Sequence, residues 1–205
     1  MSSSGAPAIR RASKVVWGAV LLAVLVAPAP LAAQRVVAAD PATLGPIPAP
    51  RGCVGMPGAP RDVIFDVRGG ALPVAAIAID ITATHPFVGD LDAELIAPTG
   101  LSALLFSHTG IGAGADPLWG ANVHLDGTYT FSDTASADWD AAADVTHHDS
   151  PVIDSGAYRV ALAGTFFGAP SAGRWTLRLT DRCETENGVV SAAVLRVTTL
   201  QTTRQ

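Results

Sequence analysis

Residues 77–100 read IAIDITATHPFVGDLDAELIAPTG. Ile77, Ile79 and Ile81 alternate with Ala78, Asp80 and Thr82, the period-two pattern of a strand with one face in a core and the other in water. Leu91, Ala93 and Leu95 alternate with Asp92 and Glu94, so a second strand follows. Between them His85, Pro86 and Gly89 interrupt the pattern, and Pro98, Thr99 and Gly100 supply the fixed and permissive backbone angles of a turn. The stretch is strand, corner, strand, tight turn.

The same alternation recurs outward from it. Strands are predicted over Asp62–Val67, Val74–Thr82, Leu91–Ala97, Ser102–Phe106, Thr128–Phe131, Tyr158–Leu162, Trp175–Thr180 and Val189–Val197. Their spacing, with Gly or Pro between many of them, is that of a β-sandwich of about eight strands. No helix longer than a turn is indicated after the amino-terminal segment. Trp175, Leu177 and Leu179 lie on one side of their strand, with Trp175 in the core. Residues 110–155 form a long Gly-, Ala- and Asp-rich connection that holds Trp119, Trp139, His124, His147 and His148, and long connections in small domains are often functional.

The order of residues in the opening stretch resembles the P domain, or P/Homo B domain. That domain follows the catalytic domain in kexin and furin-like proprotein convertases and in many bacterial subtilisin-like proteases. Thr84, His85, Gly89, Asp90, Leu91, Leu95, Ala97, Pro98 and Gly100 occupy the places of its Thr-His, Gly-Asp-Leu and Pro-x-Gly motif. Phe131, Asp133 and Ala135 look like its Phe-Asp-Asp-x-Ala segment, and Gly173, Trp175, Leu177, Asp181, Gly188 and Leu195 fall in the order of its closing block. The resemblance spans residues 61–198 and implies an all-β jelly-roll sandwich that serves a neighbouring serine endopeptidase. Two departures stand out. Val88 replaces the Arg common before the Gly in convertases, and Ala193 stands where many members have Trp.

Residues 1–33 read as a secretory signal peptide rather than as part of the fold. Arg10, Arg11 and Lys14 precede the uncharged run Val15–Val26, and Pro28 and Pro30 break it. Small residues for cleavage occur at Leu31-Ala32-Ala33, with Val37-Ala38-Ala39 as a second candidate. An uncleaved anchor is the alternative, but the apolar run stops short of the roughly 20 residues of a membrane span. Residues 34–60, with six prolines, are expected to be a linker or irregular lead-in, and residues 199–205 a carboxy-terminal tail. The expected product is secreted, with no membrane attachment after cleavage.

The whole chain has a formal net charge of −5, and residues 1–33 contain three basic and no acidic side chains, so the remainder is more acidic still. Such a surface argues against nucleic acid as a partner. Cys53 and Cys183 are the only cysteines, and in an exported chain they are expected to pair.

Catalytic machinery is not expected. A subtilisin-like triad needs Ser, His and Asp on an α/β scaffold, and the sequences that surround those residues are absent. No Gly-x-Ser-x-Gly or His-Glu-x-x-His occurs, and His147, His148, Asp149 and Ser150 are too close together in sequence to converge as a triad does. Calcium is the candidate cofactor, with Asp90, Asp92 and Asp133 as ligands and Asp138 and Asp140 as further options, because hard cations take carboxylates on loops at strand ends. The competing reading is solvated loop carboxylates. His85 at a strand corner reads as a hydrogen-bonding structural residue, and His147 and His148 have no third ligand by spacing.

The expected function is a non-catalytic accessory domain acting on a subtilisin-like protease or binding another extracellular protein. A calcium-dependent adhesion or carbohydrate-binding module, with Trp119 and Trp139 as its aromatic platform, is the alternative.

Overall fold

The computed structural model describes residues 32–53, 56–110, 120–143, 152–184 and 187–200. Among these, ten strands form two sheets: β1 (Ala32–Ala38), β2 (Gly45–Pro46), β3 (Arg61–Val67), β4 (Val74–His85), β5 (Leu91–Ile96), β6 (Ser102–Phe106), β7 (Leu125–Ser132), β8 (Gly156–Arg159), β9 (Gly173–Asp181) and β10 (Val189–Leu200). One sheet runs β1-β10-β4-β7-β8, with β2 also on β10, and the other runs β3-β9-β5-β6. Neighbours are antiparallel except β7 and β8, which are parallel. The chain crosses between sheets at most connections, as in a jelly roll. The β1–β2 connection, the β5–β6 hairpin and the β7–β8 connection each stay within one sheet.

The alternation read from the sequence decides which face is inside. Val63, Phe65 and Val67 of β3, Ile77, Ile79 and Ile81 of β4, Leu91 and Leu95 of β5, and Trp175, Leu177 and Leu179 of β9 are all buried between the sheets. Burial of each such side chain contributes about 1.5–3 kcal/mol. The Trp175 indole N–H donates to the carbonyl of Ser171 at 2.9 Å, so its one polar atom is satisfied inside the core. On the outer faces, Asp62 accepts two hydrogen bonds from Arg178, and Asp80 pairs with Arg196.

Three segments differ from the sequence reading. The stretch read as an irregular lead-in contributes β1, which pairs along Val194–Leu200 of β10 from Ala32↔Leu200 to Ala38↔Val194. The boundary after residue 33 therefore falls inside a strand, and Thr199 and Leu200 belong to β10 rather than to a tail. The physical reason is that β10 is long and its outer backbone groups need partners, which AAQRVVA supplies although its own alternation is weak. β7 begins three residues before the predicted strand, because Leu125 and Asp126 pair with His85 and Thr84 at the extended end of β4. The predicted strand Tyr158–Leu162 instead starts two residues earlier and ends at Arg159 as β8, and a one-turn helix, α2 (Ala163–Phe166), follows Leu162.

A second short helix, α1 (Trp139–Ala143), lies in the long connection after β7. Asp138 holds its start: its side chain accepts from the Ala141 amide at 2.9 Å and its carbonyl from Ala142. Among the described residues no helix is long and apolar enough to cross a membrane.

Candidate functional site

The residues of the opening motif gather at one end of the sandwich, where β4 ends, β5 begins and β9 ends. After His85 the chain turns through a one-turn 3₁₀ helix, Val88–Asp90, and enters β5 at Leu91. That corner is pinned by its backbone. The Val88 amide donates to Val123 at 2.8 Å and the Gly89 amide to Ala121 at 3.2 Å. Gly89 is packed against Gly120, where a Cβ at Gly120 would stand 2.9 Å from the Gly89 Cα. Across the corner, the Arg182 amide donates to the Asp90 carbonyl at 2.9 Å, which joins the start of β5 to the end of β9.

Beneath the corner lies a buried pair. The side chains of His85 and Asp181 have no solvent exposure, and Nε2 of His85 is 3.3 Å from Oδ2 of Asp181. The Phe87 amide donates to Nδ1 of His85 at 3.1 Å. An amide N–H only donates, so Nδ1 carries a lone pair and the ring proton sits on Nε2. The imidazole is thus neutral and donates to the carboxylate. The other oxygen of Asp181 accepts the Cys183 amide at 3.0 Å, and its carbonyl accepts the Gly58 amide at 2.8 Å. Gly188 closes the pocket over the ring: a Cβ there would lie 2.3 Å from Cδ2 of His85 and 3.0 Å from both Ile47 and the Thr84 carbonyl. No substrate reaches this histidine in the folded chain, and its bonds make it a strut between strands.

The disulfide Cys53–Cys183 adjoins the same pair, as expected for the chain's two cysteines. It ties the segment before β3 to the end of β9, two residues past Asp181.

The aspartates considered for calcium are separated and engaged. Asp92 on β5 accepts from the Ser107 hydroxyl at 2.8 Å through one oxygen and from Nε of Arg182 at 2.7 Å through the other. Asp133 follows β7 in the opposite sheet, and both of its oxygens accept the Ala163 amide at 3.0 Å, fixing the start of α2. Asp90 is buried at the corner. Among the described residues no three His, Cys, Asp or Glu side chains stand together as a metal site. Asp90, Asp92 and Asp133 do not fit calcium as a set, because an Arg neutralises one and a backbone amide occupies another.

Trp139 corrects the reading of an exposed aromatic platform. It is 5% exposed and sits in a ring cluster, 4.8 Å from Phe106, 5.0 Å from Tyr158, 5.1 Å from Phe131 and 5.6 Å from Tyr129 between centroids. Its indole N–H donates to the hydroxyl of the fully buried Thr109 at 2.9 Å. Five aromatic residues from β6, β7, α1 and β8 together bury more apolar area than an exposed Trp139 would gain from water. Trp119, His147, His148, Asp149 and Ser150 lie outside the described residues.

Sequence reasoning missed the arginine of this end. Arg182 directly follows Asp181 and pairs with Asp92, a contact whose only signal was the acidic residue alternating along β5. His108 was also passed over. It is the one non-glycine with positive φ among the described residues, at 44°, and its Nδ1 is buried without a hydrogen-bond partner.

No family model and no curated protein matches the chain. Among solved structures, it is similar to the serine protease of Aeromonas sobria in complex with its chaperone, with TM-score 0.46 and 15% identity over 86% of this chain. A second structure of the Aeromonas sobria serine protease is similar with TM-score 0.45 and 15% identity over 84% of this chain. In both cases the chain spans 28% of the other protein's length. A likeness of this degree assigns neither a family nor an activity.

Proposed function

We propose that this chain is a secreted P-domain-like accessory module that binds and stabilises a subtilisin-like serine protease, contributing no catalytic residue itself. One observation carries the reading. The residues that resemble the P-domain motif, Thr84-His85 and Gly89-Asp90-Leu91, together with Asp181 and Gly188 of the closing block, come together at one end of the sandwich although up to 104 positions separate them. A chance likeness in two blocks so far apart in the chain has no reason to converge in space.

The geometry supports a scaffold role. His85 and Asp181 are sealed from solvent and hold strands together, the Gly89 corner is clamped by backbone bonds, and the disulfide closes the same end. Such an end offers a rigid surface to a larger partner at little ordering cost. The aromatic platform of the adhesion or carbohydrate reading loses Trp139 to the core, so no observation favours that alternative.

The test is a subtilisin-like protease from which its own P domain has been deleted, incubated with and without the purified chain. Slower thermal inactivation of the protease, saturating with added chain, is the expected result. Identical inactivation at saturating chain for a panel of such proteases overturns the proposal.

A further inference from the structure

We infer that export processing cuts this chain between Ala33 and Gln34, and that the newly exposed Gln34 then closes to an amino-terminal lactam. The inference rests on the export segment expected in residues 1–33 and is independent of the accessory function.

Two candidate cuts place a pair of Ala directly before the bond, one after Ala33 and one after Ala39. They leave different molecules. A cut after Ala39 removes all of β1 and bares Val194–Leu200, an uncharged strand edge apart from Arg196. Exposed edges of that length are templates for pairing with another chain. It also removes Ala39 itself, which is buried in the core and donates its amide to Ala193 at 2.9 Å, and Val37, which packs against the core. Arg35 is lost with them, and its guanidinium donates at 2.9 Å to the Arg68 carbonyl in the turn between β3 and β4. A cut after Ala33 keeps the pairs from Gln34↔Thr198 to Ala38↔Val194, and with them every one of these contacts. The tertiary structure therefore distinguishes two sites between which the local sequence does not.

The chemistry needs only water and the signal peptidase of the exporting cell. Water adds to the Ala33 carbonyl carbon, the Ala33–Gln34 C–N bond breaks, Ala33 leaves with the carboxylate and Gln34 keeps the amine. The side chain of Gln34 is exposed at the edge of the sheet. Its neutral α-amine attacks its own Cδ, closing a five-membered lactam and releasing ammonia. The product has an uncharged amino terminus on β1.

The experiment is expression of the full chain in an exporting host, followed by intact mass and amino-terminal peptide mapping of the secreted protein. The expected species begins at Gln34 and is lighter than that chain by one ammonia. A chain beginning at Asp40 overturns the inference while leaving export intact, and a chain retaining Met1 overturns the export reading with it. A Gln34 start with a free amine overturns the lactam. As a second measurement, a chain made to begin at Asp40 is expected to unfold several degrees lower or to self-associate; equal melting as a monomer overturns the tertiary argument.

Discussion

At His85 a backbone amide decides what an ionisable side chain does. The Phe87 N–H occupies Nδ1, so the ring enters its bond to Asp181 as a neutral donor, and a protonated ring would set two N–H groups against each other. Asp181 in turn satisfies two buried donors, Nε2–H of His85 and the Cys183 amide. Asp181→Ala leaves both unpaired, and a buried orphan donor costs about 1–3 kcal/mol. Urea unfolding is expected to show a loss of about 3 kcal/mol, and His85→Ala added to it should cost less than the separate effects sum to. Additive losses, or a change within about 0.5 kcal/mol for Asp181→Ala, would show that the pair holds nothing. His85 and Asp181 were each legible as motif positions. Their pairing was not, since they stand 96 residues apart and nothing local to either names the other. The same holds for Asp92 and Asp133, whose carboxylates read as free ligands until Arg182 and the start of α2 are brought to them.

Elements with strong alternation were legible to within a residue or two, as β3, β5, β6 and β9 show. Those that depend on a neighbour were not. β1 has little pattern of its own and exists because β10 extends beyond the reach of β2. α2 begins directly after the last residue of a predicted strand, where the Asp133 carboxylate, 30 residues earlier, receives the Ala163 amide. The long connection after β6 is partly a core element, since Trp139 on α1 fills the space among Phe106, Phe131, Tyr129 and Tyr158. This cluster contains both tyrosines of the chain, and it makes stability sensitive to alkali. Burial, chiefly, raises both phenols above their usual 10.0, with the Asp154 carboxylate adding to the shift at each. A raised folded-state value means that the stabilising contribution is whole below the unfolded value and is lost as pH rises through the folded one. Unfolding free energy is expected to be level up to about pH 10 and then to fall, by at most about 1.4 kcal/mol per pH unit for each tyrosine, with the melting temperature falling in step. Tyr158→Phe should make the fall shallower. A profile equally steep in that variant would assign the alkaline loss elsewhere.

For the whole molecule, the Cys53–Cys183 bond closes a loop across a sequence separation of 130, nearly the full length of the sandwich. In the chain-entropy model so long a loop contributes at most about 4–5 kcal/mol. Replacing both cysteines by Ser is expected to lower the unfolding midpoint in urea by an amount that corresponds to about 2–5 kcal/mol, with the slope of the transition little changed. An unchanged midpoint would mean that the two sheets alone hold the fold. The sequence by itself determined the all-β class, the inward faces of most strands, the corner at Gly89, the two cysteines that pair and the place of Trp175 in the core. Each of these follows from side-chain periodicity, backbone-permissive residues or residue chemistry, which act over a few positions. Only the tertiary structure decided that the amino-terminal segment is a strand, that Trp139 is interior, that His85 is sealed against Asp181, and that the acidic side chains are already engaged. Those outcomes depend on groups distant in sequence competing for the same hydrogen bonds and the same volume, and that competition is settled only when the sheets are packed.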